Sequence, residues 1–492
     1  MQFLLSKILL PLLVLLTLST ISFAENSQTN LDEQLSLVDY LGQVRAKNLT
    51  IISSDADKIS NDRLAKKAQL ITAFRLYGFS DRSFAEQNPA LQFFRYSKVY
   101  KQNNQIGISH NSRYGLESNV YYLFNSTNYK DFAFAGTQNS LVARNSQATP
   151  SIELNLSLWQ NLFGASTIAN ETSIKSNYNA LKMQAVALSL QEQLQAEQSY
   201  WQLFFCRKSL EIQKQALASA NKILDYIDKK AKMNLAESSD ILQAKAMVQS
   251  KKILVQQAEN QLKQAELDFN QKRNLPNDQV PELLQSPSLT DLQNYDFQQN
   301  RVGDSPFLLA KKEQMQANIA SAQLEIQNQK PMLNLYTSYT HNVAEGNRKQ
   351  AWQNSFASNN SADSATVGLK FSMPINFMLT NEISDGAKQK IIAERSNYQK
   401  HKLQHEIDWQ NLNFLGINLQ QNLILALNLV NIQKNKLQNE RSLLAKGRTS
   451  TYQILVFEQE YSNAELGLWQ IVYQLQQNII NRKLYEYHST IN

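Results

Sequence analysis

The chain has 492 residues, with 49 Lys and Arg against 42 Asp and Glu. Its formal net charge is +7, but the positive residues are scattered among Gln and Asn with no basic block, which argues against a nucleic-acid partner. A lone cysteine, Cys206, excludes an intrachain disulfide.

The chain opens MQFLLSKILLPLLVLLTLSTISFAENS. Lys7 is followed by an apolar core from Ile8 to Leu18 and by Ser22-Phe23-Ala24, a small-x-small cleavage site. Residues 1–24 therefore read as a secretory signal peptide, with the mature chain starting near Glu25. A membrane anchor is the alternative, but a spanning helix needs ~20 apolar residues and this run is shorter. No cysteine follows the cleavage site to take a lipid. Beyond the signal no long uncharged apolar run occurs, which excludes a helical membrane protein.

Helical patterning covers about Leu49 to Ala73. The next stretch, 74–104, including RLYGFSDRSFAEQNPALQFFRYSKVYKQNN, is aromatic-rich and fits neither strand, external loop nor insertion uniquely. QIGISHNSRYGLESNVYYLF reads as a strand candidate, and 125–149 as a polar loop. SIELNLSLW then alternates strictly, with Ile152, Leu154, Leu156 and Leu158 on one face.

A long helix follows, with Ile174, Tyr178, Leu181, Ala185 and Leu188 at alternating steps of four and three. Cys206 lies within it, in YWQLFFCRKSL, as a small core residue with no base nearby. KMNLAESSD breaks the pattern: Asn234 can take the left-handed turn, Ser238 or Ser239 can cap, and Asp240 suits the positive end of the next helix. That helix carries Ile241, Ala244, Val248, Lys251, Val255, Ala258, Leu262 and Ala265 as its seam.

The segment 274–305 is rich in Pro, Asn and Asp and reads as a connection crossing the outside of the body. The order then recurs. A helix covers about Pro306 to Gln329, and KPMLNLYTSYTHN is a strand. After a polar loop, TVGLKFSMPINF sets Val367, Leu369, Phe371 and Met373 on one face. A long helix from about Ser384 to Ala445 turns at AKGRTSTYQIL. Gly447 stands where the first half has Asn234, and Thr451 corresponds to Ser238. The last seam is Ile454, Phe457, Tyr461, Ala464, Leu468, Ile471 and Leu475. The predicted division is a first repeat over 25–273, a connector over 274–305 and a second repeat over 306–492.

Four strands of about ten residues are long enough to cross a bilayer obliquely. Lipid tolerates no open edge, and four strands close around nothing. The chain must share a barrel with copies of itself: two copies give roughly eight strands, three roughly twelve with room for a passage. A helix of about 65 residues spans roughly 100 Å, which suits a tube standing off a membrane.

SPFLLAKKEQMQANIASAQLEIQNQKPMLNLYTSYT, VGLKFSMPINF, LLAKGRTSTYQILVFEQEYSNAELGLWQIVYQLQQNIINRKLYEY and SIELNLSLWQNLFG resemble, in order and spacing, the TolC-like outer-membrane efflux proteins. The resemblance covers about Leu31 to Tyr487. It implies a mainly α chain with a small β part. Long helical hairpins would form a trimeric α-barrel tunnel, joined to a twelve-stranded trimeric transmembrane β-barrel with four strands per chain. It further implies a homotrimer in the outer membrane of a Gram-negative bacterium, reaching through the periplasm. This homotrimer would be the passive channel of a tripartite efflux pump or type I secretion system.

The implied partners are a periplasmic adaptor (membrane-fusion) protein, an inner-membrane pump and outer-membrane lipid. The adaptor-docking tips would be Asn234, Leu235 and Ser238 with Gly447, Arg448, Thr449 and Ser450. Family members place acidic residues just past the tip turns. Asp240 fits in the first hairpin, but the second has Gln453, so three carboxylates rather than six would constrict the mouth; Asp240 as a plain helix-start residue is the alternative. Drugs, metal ions and secreted polypeptides all use such tubes.

No enzyme, cofactor or metal site is predicted. His401 and His405 stand four apart beside Glu406, a metal-capable spacing, but no third ligand accompanies them and they read as solvent-exposed. Tyr121, Tyr122, Phe124, Tyr336, Tyr339 and Phe377 serve either as membrane-interface girdles or as ordinary strand packing. The competing function is a soluble periplasmic coiled-coil adaptor or scaffold, which would need no two-faced strands.

Overall fold

A computed structural model of the chain describes residues 34–485 apart from 87–93, 135–143, 234–236, 278, 281, 300, 302, 358–360 and 447. The expected signal peptide lies outside the described residues.

The elements in chain order are α1 (Leu37–Lys47), α2 (Leu49–Leu64), a 3-10 segment (Ala65–Ile71), β1 (Arg75–Glu86), β2 (Phe94–Arg95), β3 (Lys98–Asn111), β4 (Leu116–Lys130), β5 (Ala133–Phe134) and β6 (Arg144–Ser157). Then come α3 (Ala165–Lys232), α4 (Ser238–Lys272), α5 (Leu289–Gln293), α6 (Pro306–Asn328), β7 (Met332–Glu345), α7 (Arg348–Asn354), β8 (Ser361–Ser372), α8 (Phe377–Ala445) and α9 (Thr451–Lys483). The long helices match across the halves: α3 has 68 residues and α8 has 69, while α4 has 35 and α9 has 33. At ~1.5 Å per residue, α3 and α8 each extend roughly 100 Å.

Helix boundaries follow local chemistry. Asn48 caps α2 by accepting from the Thr50 and Ile51 amides, and Ser305 caps α6 by accepting from Leu308, ahead of a proline at the first position. At the tips, Ser450 Oγ accepts from the Gln453 amide and starts α9. The start of α4 differs from the expectation. Glu237 occupies the cap with no side-chain bond to a helix amide, so neither Ser238 nor Ser239 caps it; the Ser239 hydroxyl donates to the Glu237 carboxylate instead. Thr451 and Ser238 are both first helical residues, as the alignment of the two breaks predicts.

Among the described residues the helical part is organised around three clusters. Tyr40, Tyr200, Leu203 and Phe269 centre the first, where α1, α3 and α4 meet. Tyr40 stacks on Phe269 at 4.1 Å and bonds Ser199. Phe297, Leu423, Val472 and Leu475 form the counterpart beneath α8 and α9. Here Phe297 lies flat on the bare face of Gly416, where a Cβ would stand 2.2 Å from its ring. Ile223, Ile227, Ala244, Leu437 and Ile454 form the third cluster, near the tips. The segment 274–305 packs onto the helices: Leu35 bridges Leu284, and Gln420 donates to the carbonyls of Leu292 and Tyr295.

One antiparallel sheet runs β1-β3-β4-β6-β7-β8, with β2 and β5 as a separate two-residue ribbon. The sheet departs from the expectation of four strands per chain, since among the described residues it has six. The stretch read as one strand over 105–124 is two, turned back at Ser112–Gly115, where Gly115 has φ 85° and Ser112 bonds Leu116. The unassigned 74–104 stretch supplies β1 and the first half of β3. The second half makes one strand pair between its helices and the first half makes two.

Candidate functional site

The sheet sorts its side chains by face. Paired across all six strands in one row are Leu76, Ile108, Val120, Ile152, Tyr339 and Ala365. One residue away, on the opposite face, the row is Arg75, Ser109, Asn119, Glu153, Ser338 and Thr366. Successive strand residues point to opposite faces, so at this level of the sheet one face is apolar and the other polar; toward the far end the first face turns polar, in the row Arg82, Gln102, Ser126, Ser146 and Glu345. Ile152, Leu154, Leu156, Val367, Leu369 and Phe371 all fall on the apolar face. Leu158 and Met373, predicted with them, lie one residue past the ends of β6 and β8, though the Leu158 amide still bonds Leu333. The apolar face is largely uncovered by the chain itself: Leu76 and Val367 are each 75% exposed.

On the polar face, Tyr121 and Tyr336 both donate to Glu153, at 2.8 and 3.3 Å, and Asn155 donates to Glu117. Lys370 stands 4.0 Å above the Tyr336 ring. Gly107 makes room for the Tyr77 ring beside Tyr121: a Cβ there would come within 2.8 Å of the Tyr77 ring and 2.6 Å of the Tyr121 Cβ. Such a face suits water. Of the predicted girdle aromatics, Tyr122, Phe124 and Tyr339 are on the apolar face, Tyr121 and Tyr336 on the polar one, and Phe377 begins α8. The short helix α7, missed from sequence inside a polar loop, lies over the apolar face near the far end of the strands. Trp352 meets Tyr122 at 5.0 Å, and Arg348 donates to Gln102. Trp352 and, just past the helix, Phe356 remain exposed.

Below the sheet the upper helices lie side by side in the order α2, α3, α6, α8. The outermost, α8, carries an uncovered apolar stripe of Leu403, Ile407, Phe414, Leu425, Leu429 and Ile432. At the other edge α2 exposes Leu49, Ile52 and Ile59. Stripes of this length call for a helical partner.

The two tips lie together. Tyr226 of α3 donates to the Leu444 carbonyl of α8, Arg441 pairs with Glu458 at 2.5 Å and reaches Ser219, and Lys251 of α4 donates to Gln459 of α9 at 2.6 Å. Burial pulls the Lys251 ammonium below its ordinary value. Thr449 bonds Glu440, and the Arg448 amide bonds the Leu443 carbonyl, closing the end of α8. Asp240 is half-buried in the first turn of α4, and Gln453 is exposed in the first turn of α9. Asn234, Leu235 and Gly447 lie outside the described residues.

The histidine pair differs from its expectation as solvent-exposed. His405 is buried, with Arg301 donating to Nδ1 at 2.5 Å and Nε2 2.8 Å from Ser305 Oγ. With Nδ1 accepting, the proton sits on Nε2 and the ring is neutral. Burial first, and then the Arg301 charge, hold its pKa below the ordinary value. Cys206 is buried as expected, and burial pushes its thiol up to about 11.

No protein-family model and no curated protein matches the chain. Solved structures do. The outer membrane protein VceC from Vibrio cholerae matches with a TM-score of 0.62 at 13% identity, covering 92% of this chain and 96% of its own. The outer-membrane channel OprN matches with a TM-score of 0.62 at 13% identity, over 92% and 89% of the two chains. The Campylobacter jejuni CmeC outer membrane channel matches with a TM-score of 0.59 at 14% identity, over 93% and 87%. The chain thus has the fold of these outer-membrane channels over nearly its whole described length, and the resemblance read from sequence holds at the level of fold.

Proposed function

We propose that the chain is the channel component of an export system in the outer membrane of a Gram-negative bacterium, reaching down into the periplasm. Three copies close the wall, with the apolar face of the sheet toward lipid and the polar face toward a water-filled passage. The adjacent, wholly apolar and mostly charged or hydroxylic rows across the sheet carry this reading. A soluble coiled-coil scaffold has no use for a six-stranded sheet with an apolar row running from edge to edge across one face. The uncovered stripes on α8 and α2 are packed against neighbouring copies, and the long helical hairpins form the tunnel. We read residues 25–273 and 306–492 as two repeats joined by the connector 274–305, behind a signal peptide over 1–24.

The tips, Asn234, Leu235, Ser238, Gly447, Arg448, Thr449 and Ser450, are the docking surface for a periplasmic adaptor of an inner-membrane pump, of the tripartite-efflux or type I secretion kind. Asp240 places one carboxylate per copy at the mouth, with Gln453 as its neutral counterpart. The chain contributes no chemistry and conducts passively. Planar-bilayer recording tests this directly. The purified protein should form cation-preferring pores, and Asp240→Asn should shift the reversal potential toward zero selectivity. Absence of any pore, or selectivity untouched by Asp240→Asn, would overturn the channel or the constriction respectively.

A further inference from the structure

The register of the sheet says more than that it is two-faced. The row that starts at Arg75, the first residue of β1, reaches β8 at Thr366, six residues before that strand ends at Ser372. At the far end the total shift is the same: β1 extends to Glu86, whereas β8 begins at Ser361, on the row of Ser80, the drop falling between β4 and β8. Both rims therefore shift about six residues across five strand spacings. At ~3.3 Å per residue and ~4.8 Å between strands, that is ~20 Å along for ~24 Å across, a tilt of about 40°. Closed membrane barrels tilt their strands by about 35–45°. Along the near rim β1 and β3 follow this slope, β3 ending at Asn111, two residues past the row of Arg75, while along the far rim β1, β3 and β4 end on one row of Glu86, Lys98 and Lys130; β3 pairs with β4 over its whole length, so the extra hairpin belongs to the same wall.

Two further observations place β1 at the seam. The edge helix α2 runs through Ala65–Ile71 straight into β1, and β8 runs through Pro374 into the other edge helix, α8. The subunit thus has two continuous edges from tunnel to sheet. Widths agree as well. Six strands tilted by ~40° occupy ~37 Å of circumference, and four helices at 9–10 Å spacing occupy about 36–40 Å. Four strands would occupy only ~25 Å.

We propose that β1 of one copy pairs with β8 of the next, so that the membrane wall is an eighteen-stranded barrel with six strands per chain, about half as wide again as one of twelve. The inference rests on the trimer reading. β1 and β8 run in opposite directions, so the junction is antiparallel like every other in the sheet. Keeping the apolar face continuous requires an even shift at the seam. A shift of six, matching the slope, puts Leu76 beside Phe371 and Ser80 beside Val367 of the neighbouring copy.

The test is disulfide trapping in outer membranes, with Cys206 left in place because it is buried. Within one chain Ser80 and Val367 stand on opposite edges of the sheet, ~24 Å apart across five spacings, too far for a disulfide. Oxidised Ser80→Cys/Val367→Cys should therefore run as covalent dimer and trimer on non-reducing gels, with single-cysteine variants remaining monomeric. If β8 instead pairs with β4, as a twelve-stranded wall requires, Tyr122→Cys/Val367→Cys should trap oligomers and Ser80→Cys/Val367→Cys should not; that result overturns the proposal. A native mass of three copies with neither pair trapped also overturns it while sparing the trimer. A monomeric native mass removes both.

Discussion

Replacing Val367 by arginine separates a sheet in lipid from a sheet in water. Val367 is 75% exposed on the apolar face of β8, opposite Thr337. If that face met water, an exposed substitution would change stability by no more than ~0.5 kcal/mol. Toward the middle of a bilayer an arginine on the lipid face costs ~2–4 kcal/mol, a factor of roughly 30 to 1,000 in the folding equilibrium. Thr366→Arg is the matched control. It is the next residue, its side chain joins the polar row with Glu153 and Ser338, and it should cost little. Both variants and the parent would be folded into phospholipid vesicles across a urea series, and the folded fraction read from heat-modifiable gel mobility. The expected outcome is a midpoint well below the parent for Val367→Arg and near it for Thr366→Arg. Equal midpoints, or a larger loss at Thr366, would refute the assignment of the faces.

The remaining outcomes concern the helical body. Gly416→Ala puts a methyl group 2.2 Å from the Phe297 ring, so overpacking of ~1–3 kcal/mol should outweigh the ~1 kcal/mol gained in helix propensity. The melting temperature should fall, and Phe297→Leu should restore it in the double variant. His405 has its folded pKa held below the ordinary value of ~6.5 by burial and by Arg301. Below pH ~6.5 the unfolded chain takes up a proton that the folded chain does not, so stability should fall as pH drops through that window and level off beneath the folded pKa. His405→Gln should flatten the dependence in urea titrations between pH 7 and 5; an unchanged slope would show that another group carries it.

The helical skeleton was legible because its signals are long. Seams such as Ile241 to Ala265 persist over many turns, and the breaks at Asn234 and Gly447 fall within turn-forming sequence. Two-faced strands were legible from strict alternation over Ser151–Ser157 and Thr366–Ser372, though the first five residues of β8 read as polar loop. β1 was not, because its alternation is diluted: Gly78, Ser80 and Arg82 share a face with Leu76 and Phe84, and only pairing with Ile106 and Ile108 shows which face is apolar. The turn at Ser112–Gly115 was hidden inside what looked like one strand, although Asn111-Ser112-Arg113-Tyr114-Gly115 is turn chemistry in hindsight. His405 was misread because burial depends on Arg301 and Ser305, a hundred residues away in sequence. The capping of α4 was misplaced by one or two residues, the usual scatter when several polar residues adjoin a helix start.

The central claim is that one chain supplies an open set of strands and helices that only self-association seals. The native mass of the full chain, extracted from outer membranes in mild detergent, tests it most directly. Three copies per particle, with β signal in its circular dichroism, is the predicted result. A monomer recovered from the soluble periplasmic fraction would contradict it.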